Sequence, residues 1–159
     1  MQYIRTQYLD ASALVKLAIE EDHSQKLRAY CGRAVLSTTS LCFMEALGVL
    51  KGKWTHGRLS QEQYLAACEE LVARARTSTL EVEDIGIFER DVYDQAEALA
   101  TKHCLDISDA FQLLTLKHGM YAPLEGESRP TLVTADKRLA KAAISEGLQA
   151  WDCVHEPLP

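Results

Sequence analysis

The stretch from Tyr3 to Leu17, YIRTQYLDASALVKL, constrains this chain most, because its apolar period changes at a single residue. Tyr3, Ile4, Tyr8 and Leu9 make a run short enough for a strand. Beyond Asp10, the residues Ala13, Leu14, Leu17 and Ala18 fall at helix-face spacing. Asp10 should therefore stand where a strand ends and a helix begins, with Ser12 as the N-terminal cap. In open α/β sheets that rim, outside the carboxyl ends of the strands, is where ligands bind. Taken alone, Asp10 reads equally as a helix cap or as a ligand-binding acid. The choice depends on whether other acids reach the same rim.

The rest of the chain repeats the strand-to-helix alternation. Ser24 opens a helix carrying Leu27, Tyr30 and Cys31, ended by Gly32, and residues 34–36 form a short apolar strand. The hydroxyl run 37–40 starts a helix bearing Leu41, Met44, Glu45 and Leu47 that stops at Gly57. Ser60 and Gln63 spell a capping box for a helix through about Arg76. Residues 80–85 alternate at period two, and helices follow from Phe88 to Lys102 and from Ile107 to Gly119. A polar loop from Tyr121 to Pro130 leads to a strand at 131–134, then Asp136, a helix ended by Gly147, and an edge strand at 148–151. Strands separated by single or paired helices imply a parallel sheet covered on both faces. At 159 residues the expectation is one domain over 1–159.

Composition narrows the class. The apolar fraction of 47% and charged fraction of 25% are ordinary for a globular chain. A formal net charge of −6 opposes capture of nucleic acid by the whole surface, though not by a local basic patch or a metal-bridged phosphate. Cys31, Cys42, Cys68, Cys104 and Cys153 are scattered without a CxxC pair, which predicts buried reduced thiols rather than disulfides or a zinc site. There is no charged-then-apolar leader and no apolar run of membrane-spanning length, so a cytoplasmic protein is expected, with no membrane contact.

Four carboxylates stand out by position: Asp10 and Asp136 directly after strands, Glu45 a turn into a helix, and Asp109 in the first turn of another. Glu45 and Asp109 lie among apolar residues, with no lysine or arginine beside them in sequence. Acids brought within ~4 Å of one another would repel by several kcal/mol per pair at an effective dielectric near 20, so only a cation makes such a cluster sensible. An all-oxygen donor set selects hard ions, Mg²⁺ or Mn²⁺ before Ca²⁺.

At this point the chain resembles a known family. The segments LDASALVKL around Asp10, MEAL around Glu45, SDAFQL around Asp109 and VTADKRL around Asp136 look like the four acidic motifs of PIN-domain ribonucleases. They are most similar to VapC-type toxins of toxin–antitoxin pairs. The resemblance implies a PIN-like, three-layer α/β/α sandwich with a mainly parallel central sheet. It also implies a Mg²⁺- or Mn²⁺-dependent endoribonuclease that leaves 5′-phosphate and 3′-hydroxyl ends. Asp10, Glu45, Asp109 and Asp136 become catalytic metal ligands, with Glu45 poised to hold or deprotonate the attacking water. Asp106 is a further candidate ligand; it reads equally as a helix N-terminal acid favoured by the dipole. Ser12 and Thr134 match hydroxyls that orient Asp10 and Asp136. The implied partners are an RNA substrate, a cognate antitoxin laid over the acidic pocket, and a second copy in a homodimer.

Lys16, Lys137 and Arg138 are candidates for RNA contact, with Lys51, Lys53 and Arg58 behind them; each also reads as a solvated charge. Trp54 is either a stacking platform or a helix-end aromatic. The five histidines have no metal-ligand spacing, and Cys104 beside His103 is not a nucleophile, since adjacent helical residues do not face each other. The loop from Tyr121 to Pro130 is longer than the family's usual link and reads as a lid, an RNA or partner contact, or a tolerated insertion. A haloacid-dehalogenase-type phosphatase also begins with an acid after its first strand, but needs an aspartate at the position of Ser12. The stronger competitor is a PIN fold serving as a catalytically inactive binding or scaffold module.

Overall fold

The computed structural model describes residues 5–159. The strands are β1 (Arg5–Leu9), β2 (Ala34–Thr38), β3 (Glu81–Val82), β4 (Thr131–Thr134) and β5 (Gln149–Asp152). The helices are α1 (Ala11–Ala18), α2 (Ser24–Cys31), α3 (Ser40–Thr55), α4 (Gln61–Arg76), α5 (Arg90–His103), α6 (Ile107–His118) and α7 (Lys137–Ser145). The expectation that Tyr3 and Ile4 open the first strand lies outside the described residues. None of the described helices is long and apolar enough to cross a membrane.

The strands form one five-stranded sheet in the order β3-β2-β1-β4-β5, and every pairing is parallel. Successive strand residues face opposite sides, so β1 and β4 serve both cores. Leu9 and Val133 enter one apolar layer with Leu14, Leu17, Leu27, Leu50 and Leu71 from α1 to α4. Tyr8 and Leu132 enter the other, with Leu99, Leu113, Leu116 and Leu139 from α5 to α7. The chain winds outward from β1 to β3 with helices on the first face, then returns to β4 and β5 with helices on the second. β1 and β4 are therefore the neighbours at which the winding reverses, and a crevice at their carboxyl ends is the expected ligand position.

Local signals set most of the helix starts. Thr39 caps α3 by accepting from the backbone N–H of Cys42, and Ser60 with Gln63 closes the capping box of α4. Gly57 takes φ +72 just beyond α3. Two expectations need correction. The cap of α1 is Asp10, which accepts from Ala13 N, not Ser12. The strand expected over 80–85 is only Glu81–Val82; Glu83 N still donates to the Thr38 carbonyl at 2.8 Å, and beyond it the Asp84 carboxylate turns to accept from Ser40 N. Cys31, Cys42 and Cys153 are buried, and all five thiols are free.

Candidate active site

Asp10 sits at the reversal point and is 3% exposed. Its Oδ1 accepts from Ala13 N at 2.8 Å and from Ser12 Oγ at 2.7 Å, and its Oδ2 accepts from Thr134 Oγ1. Both hydroxyls also accept from backbone N–H groups of the turn between β4 and α7: Ser12 Oγ from Ala135 N at 2.8 Å, Thr134 Oγ1 from Asp136 N at 2.9 Å. The ends of β1 and β4 are thus laced together through one carboxylate. Burial pushes the Asp10 carboxyl up to about 6, against the lowering pull of Thr134, Ser12 and Ala13, and Asp136 adds to the rise.

Asp136 caps α7 through Arg138 N at 2.7 Å and Leu139 N at 3.4 Å, with the Arg138 guanidinium 3.8 Å from its other oxygen. Asp109 lies in the first turn of α6. Burial raises its carboxyl to about 7, followed by repulsion from Asp10, Glu45, Asp136 and Asp106 in that order. The expected acids therefore act on one another across the rim. Asp106 occupies the N-cap position of α6 without a side-chain capping bond. Glu45 is exposed on α3 and accepts from Ser108 Oγ at 2.9 Å.

Sequence reasoning missed Ser108, which ties the Glu45 carboxylate to the start of α6 across 63 positions. It also missed Cys42, fully buried with its thiol 4.0 Å from the Ser108 carbonyl. Burial raises that thiol's pKa, against the lowering bond to Thr39, and the charges of Asp10, Asp109 and Glu45 raise it further. Gln112, one turn beyond Ser108, is fully buried, donates to the Leu9 carbonyl at 3.5 Å and leaves Oε1 without a partner. A hydroxyl directly before Asp109 was the only local clue to any of this.

The predicted cations divide. Lys16 is held by Glu21 at 2.9 Å and its side chain is 12% exposed, so its charge is already matched. Lys53 meets the same carboxylate at 2.9 Å. Lys137 and Arg138 are exposed beside Asp136. Trp54 stacks on Tyr64 with ring centroids 5.1 Å apart and Lys51 lies 4.2 Å over it, so that aromatic is already engaged within the α3–α4 pair.

Among the described residues no lysine, arginine or histidine pairs with Asp10, Glu45 or Asp109. The donor set is all oxygen, which fits Mg²⁺ or Mn²⁺. As the side chains stand, no three acidic, imidazole or thiol groups among the described residues are close enough to hold a metal ion. Binding one would have to draw carboxylates inward, a change open to Glu45 on its long, exposed side chain.

The fold is an α/β sandwich on a five-stranded parallel sheet, with acids gathered where its winding reverses. The sequence profile of the PIN domain matches residues 7–145, and the chain belongs to the PIN domain family. PIN domains bind nucleic acid and are commonly nucleases, typically with divalent metals. Among solved structures, that of PAE2754 from Pyrobaculum aerophilum is similar over 94% of this chain and 92% of that one, with a TM-score of 0.60 and 20% identity. No curated protein matches.

Proposed function

We propose that the chain is a Mg²⁺- or Mn²⁺-dependent endoribonuclease whose catalytic groups are Asp10, Glu45, Asp109 and Asp136. The observation that carries this reading is a pair of rim acids, the buried Asp10 and the half-buried Asp109, raised to about 6 and about 7 with no partner cation among the described residues. Perturbed acids converging in a crevice mark a functional site more often than a structural one.

In this reading Asp10, Asp109 and Asp136 hold the ion, with Glu45 and Asp106 as further ligands. When bound, the ion supplies positive charge that acidifies an attacking water and offsets charge growing on the leaving 3′-oxygen. Glu45 takes the proton from that water, and Ser108 fixes the carboxylate for the purpose. Ser12 and Thr134 lock Asp10 in one rotamer, so the site is preorganised. Lys137 and Arg138 meet a flanking phosphate; Lys16, matched by Glu21, has the weaker claim. The products carry 5′-phosphate and 3′-hydroxyl ends.

The same reading makes the chain the toxin of a toxin–antitoxin pair, with a cognate antitoxin over the acidic rim and a second copy in a homodimer. The exposed Leu65 on α4 and Tyr93 on α5 are apolar groups available for such contacts. One observation favours the competing binding module: the acids do not stand close enough to hold an ion as they are.

The test is Mn²⁺-dependent cleavage of a panel of single-stranded RNAs. Asp10→Asn and Asp109→Asn should each lose about 100-fold or more of the rate while still folding. Parent-like cutting by both variants would overturn the site. A parent that binds RNA and never cuts it would leave the module.

A further inference from the structure

The carboxylate rim uses only the first turns of α3; the remainder of the same face is open. Glu45, Val49, Gly52 and His56 follow one another at spacings of three and four along it, over about 16 Å of helix. A groove of about 360 Å³ lies at the far end, lined by Val49, Gly52, Lys53, His56 and Arg58. Gly52 leaves room within it, and Gly48 leaves room one turn earlier on α3: a Cβ at either would meet nothing within 4 Å. Glycine inside a helix is destabilising relative to alanine, and no contact within this chain requires it here.

The groove is also basic, in a protein whose net charge is −6. Arg58 forms no ion pair among the described residues. His56 donates from Nδ1 to the Gly52 carbonyl at 2.7 Å, which leaves Nε2 of the neutral ring as an acceptor suited to a ribose 2′-hydroxyl. Lys53 adds charge, although Glu21 shares it at 2.9 Å. A helix face opened by two glycines, interrupted only by Val49 and ending in Lys53 and Arg58, suits a chain of closely spaced anions lying flat against it. An apolar partner helix would strand the Arg58 guanidinium.

We propose that this face of α3 is a track for the sugar–phosphate backbone of single-stranded RNA. A phosphate seats on Arg58 beside Lys53, the chain crosses the strip past Gly52, Val49 and Gly48, and the strand reaches the carboxylates at Glu45. The track sets where the substrate enters and rests on the ribonuclease reading only for its direction toward Glu45. Binding is sequence-tolerant, because backbone contacts position a strand without reading its bases.

The experiment is fluorescence anisotropy of an end-labelled single-stranded RNA, titrated with the intact chain in chelator so that binding is read without turnover. Arg58→Glu should weaken binding about 10-fold and lower the slope of log K against log salt by about 1. Arg33→Glu, the same charge change on an exposed residue directly before β2 and outside the groove, should cost less than about twofold. Gly52→Val should weaken binding without altering charge, and Gly52→Ala by less.

Equal losses in Arg58→Glu and Arg33→Glu, or no RNA binding by the parent, would overturn the track. So would unchanged RNA binding in Gly52→Val, above all if light scattering showed that variant falling from dimer to monomer, which would give the face to a second copy. Should Gly52→Val fail to fold, the arginine pair decides alone. RNA binding that follows the groove variants, without cleavage in Mn²⁺, keeps the track and sinks the nuclease. Cleavage with binding indifferent to all of them does the reverse.

Discussion

The two ends of the sheet treat carboxylates in opposite ways. At the carboxyl ends of the strands, Asp10 and Asp109 are raised to about 6 and about 7, by burial first and by other acids after it. At the opposite end the last turns of α5, α6 and α7 meet on Glu146, whose side chain is 9% exposed. There Lys102 and His103 reach one oxygen at 2.6 and 2.7 Å and Lys117 reaches the other at 2.8 Å. Those three donors hold the Glu146 carboxyl well below the usual carboxylate range. The fold can therefore match a carboxylate with its own cations, and it draws them from helix C-termini, where the dipole also favours them. Leaving the rim acids unmatched costs stability, and the proposed uptake of an external cation there would account for that cost.

The largest test of this contrast removes the matched acid. Glu146→Gln strips the shared acceptor from three donors and should cost about 2 kcal/mol in urea unfolding at pH 7. Its carboxyl is lowered on folding, so its contribution is present above the ordinary 4.5 and fades as pH falls below that value. If the variant matches the parent, the cations there are ornaments of a surface, and the contrast fails.

The rim acid should behave with the opposite sign. Asp109 keeps its proton to higher pH folded than unfolded. Between its ordinary 3.8 and about 7 the native state therefore binds more protons, and stability falls as pH rises through that window. In chelator at pH 8, Asp109→Asn should accordingly be more stable than the parent, by about 1 kcal/mol after allowing for solvent screening. At pH 4 the two should be nearly equal. Mn²⁺ at pH 8 should raise the parent's melting temperature more than the variant's, because an ion that binds only the native state stabilises it by mass action. A variant less stable than the parent at pH 8 would mean that Asp109 is matched in solution.

These two ends were not equally legible. The rim could be read because each acid carries a local mark: Asp10 and Asp136 follow apolar strands and cap the helices after them, and Asp109 opens a helical period. What the pattern could not decide was which of Asp10 and Ser12 caps α1, since both side chains can accept from a first-turn N–H. The Glu146 knot carries no such mark. Its partners stand 44, 43 and 29 positions away and look like ordinary surface charges. Ser108 was hidden in the same way, by a partner 63 positions distant. The strand over 80–85 was overread because alternation does not reveal that pairing ends once Glu83 N has met the Thr38 carbonyl and that Asp84 turns to Ser40. The loop from Tyr121 to Pro130 is fastened where no pattern indicates, by the Tyr121 hydroxyl donating to Glu81.

The smallest expected effects come from the glycines, and they sharpen the difference between an open face and a closed one. At Gly119 an added Cβ would come within 2.5 Å of the Thr115 carbonyl and 2.7 Å of the Glu83 carboxylate. Gly119→Ala must therefore push backbone apart and should be destabilising. At Gly48 and Gly52 the added methyl meets nothing within 4 Å. Each alanine there should raise stability by about 0.5–1 kcal/mol, since it removes freedom from the unfolded chain and suits the helix better. Urea midpoints of the three single variants would measure all of this on one scale. If Gly52→Ala were instead destabilising at high protein concentration and neutral at low, the methyl would be striking another molecule. The bare strip of α3 would then be covered by a second copy of the chain before any RNA reached it.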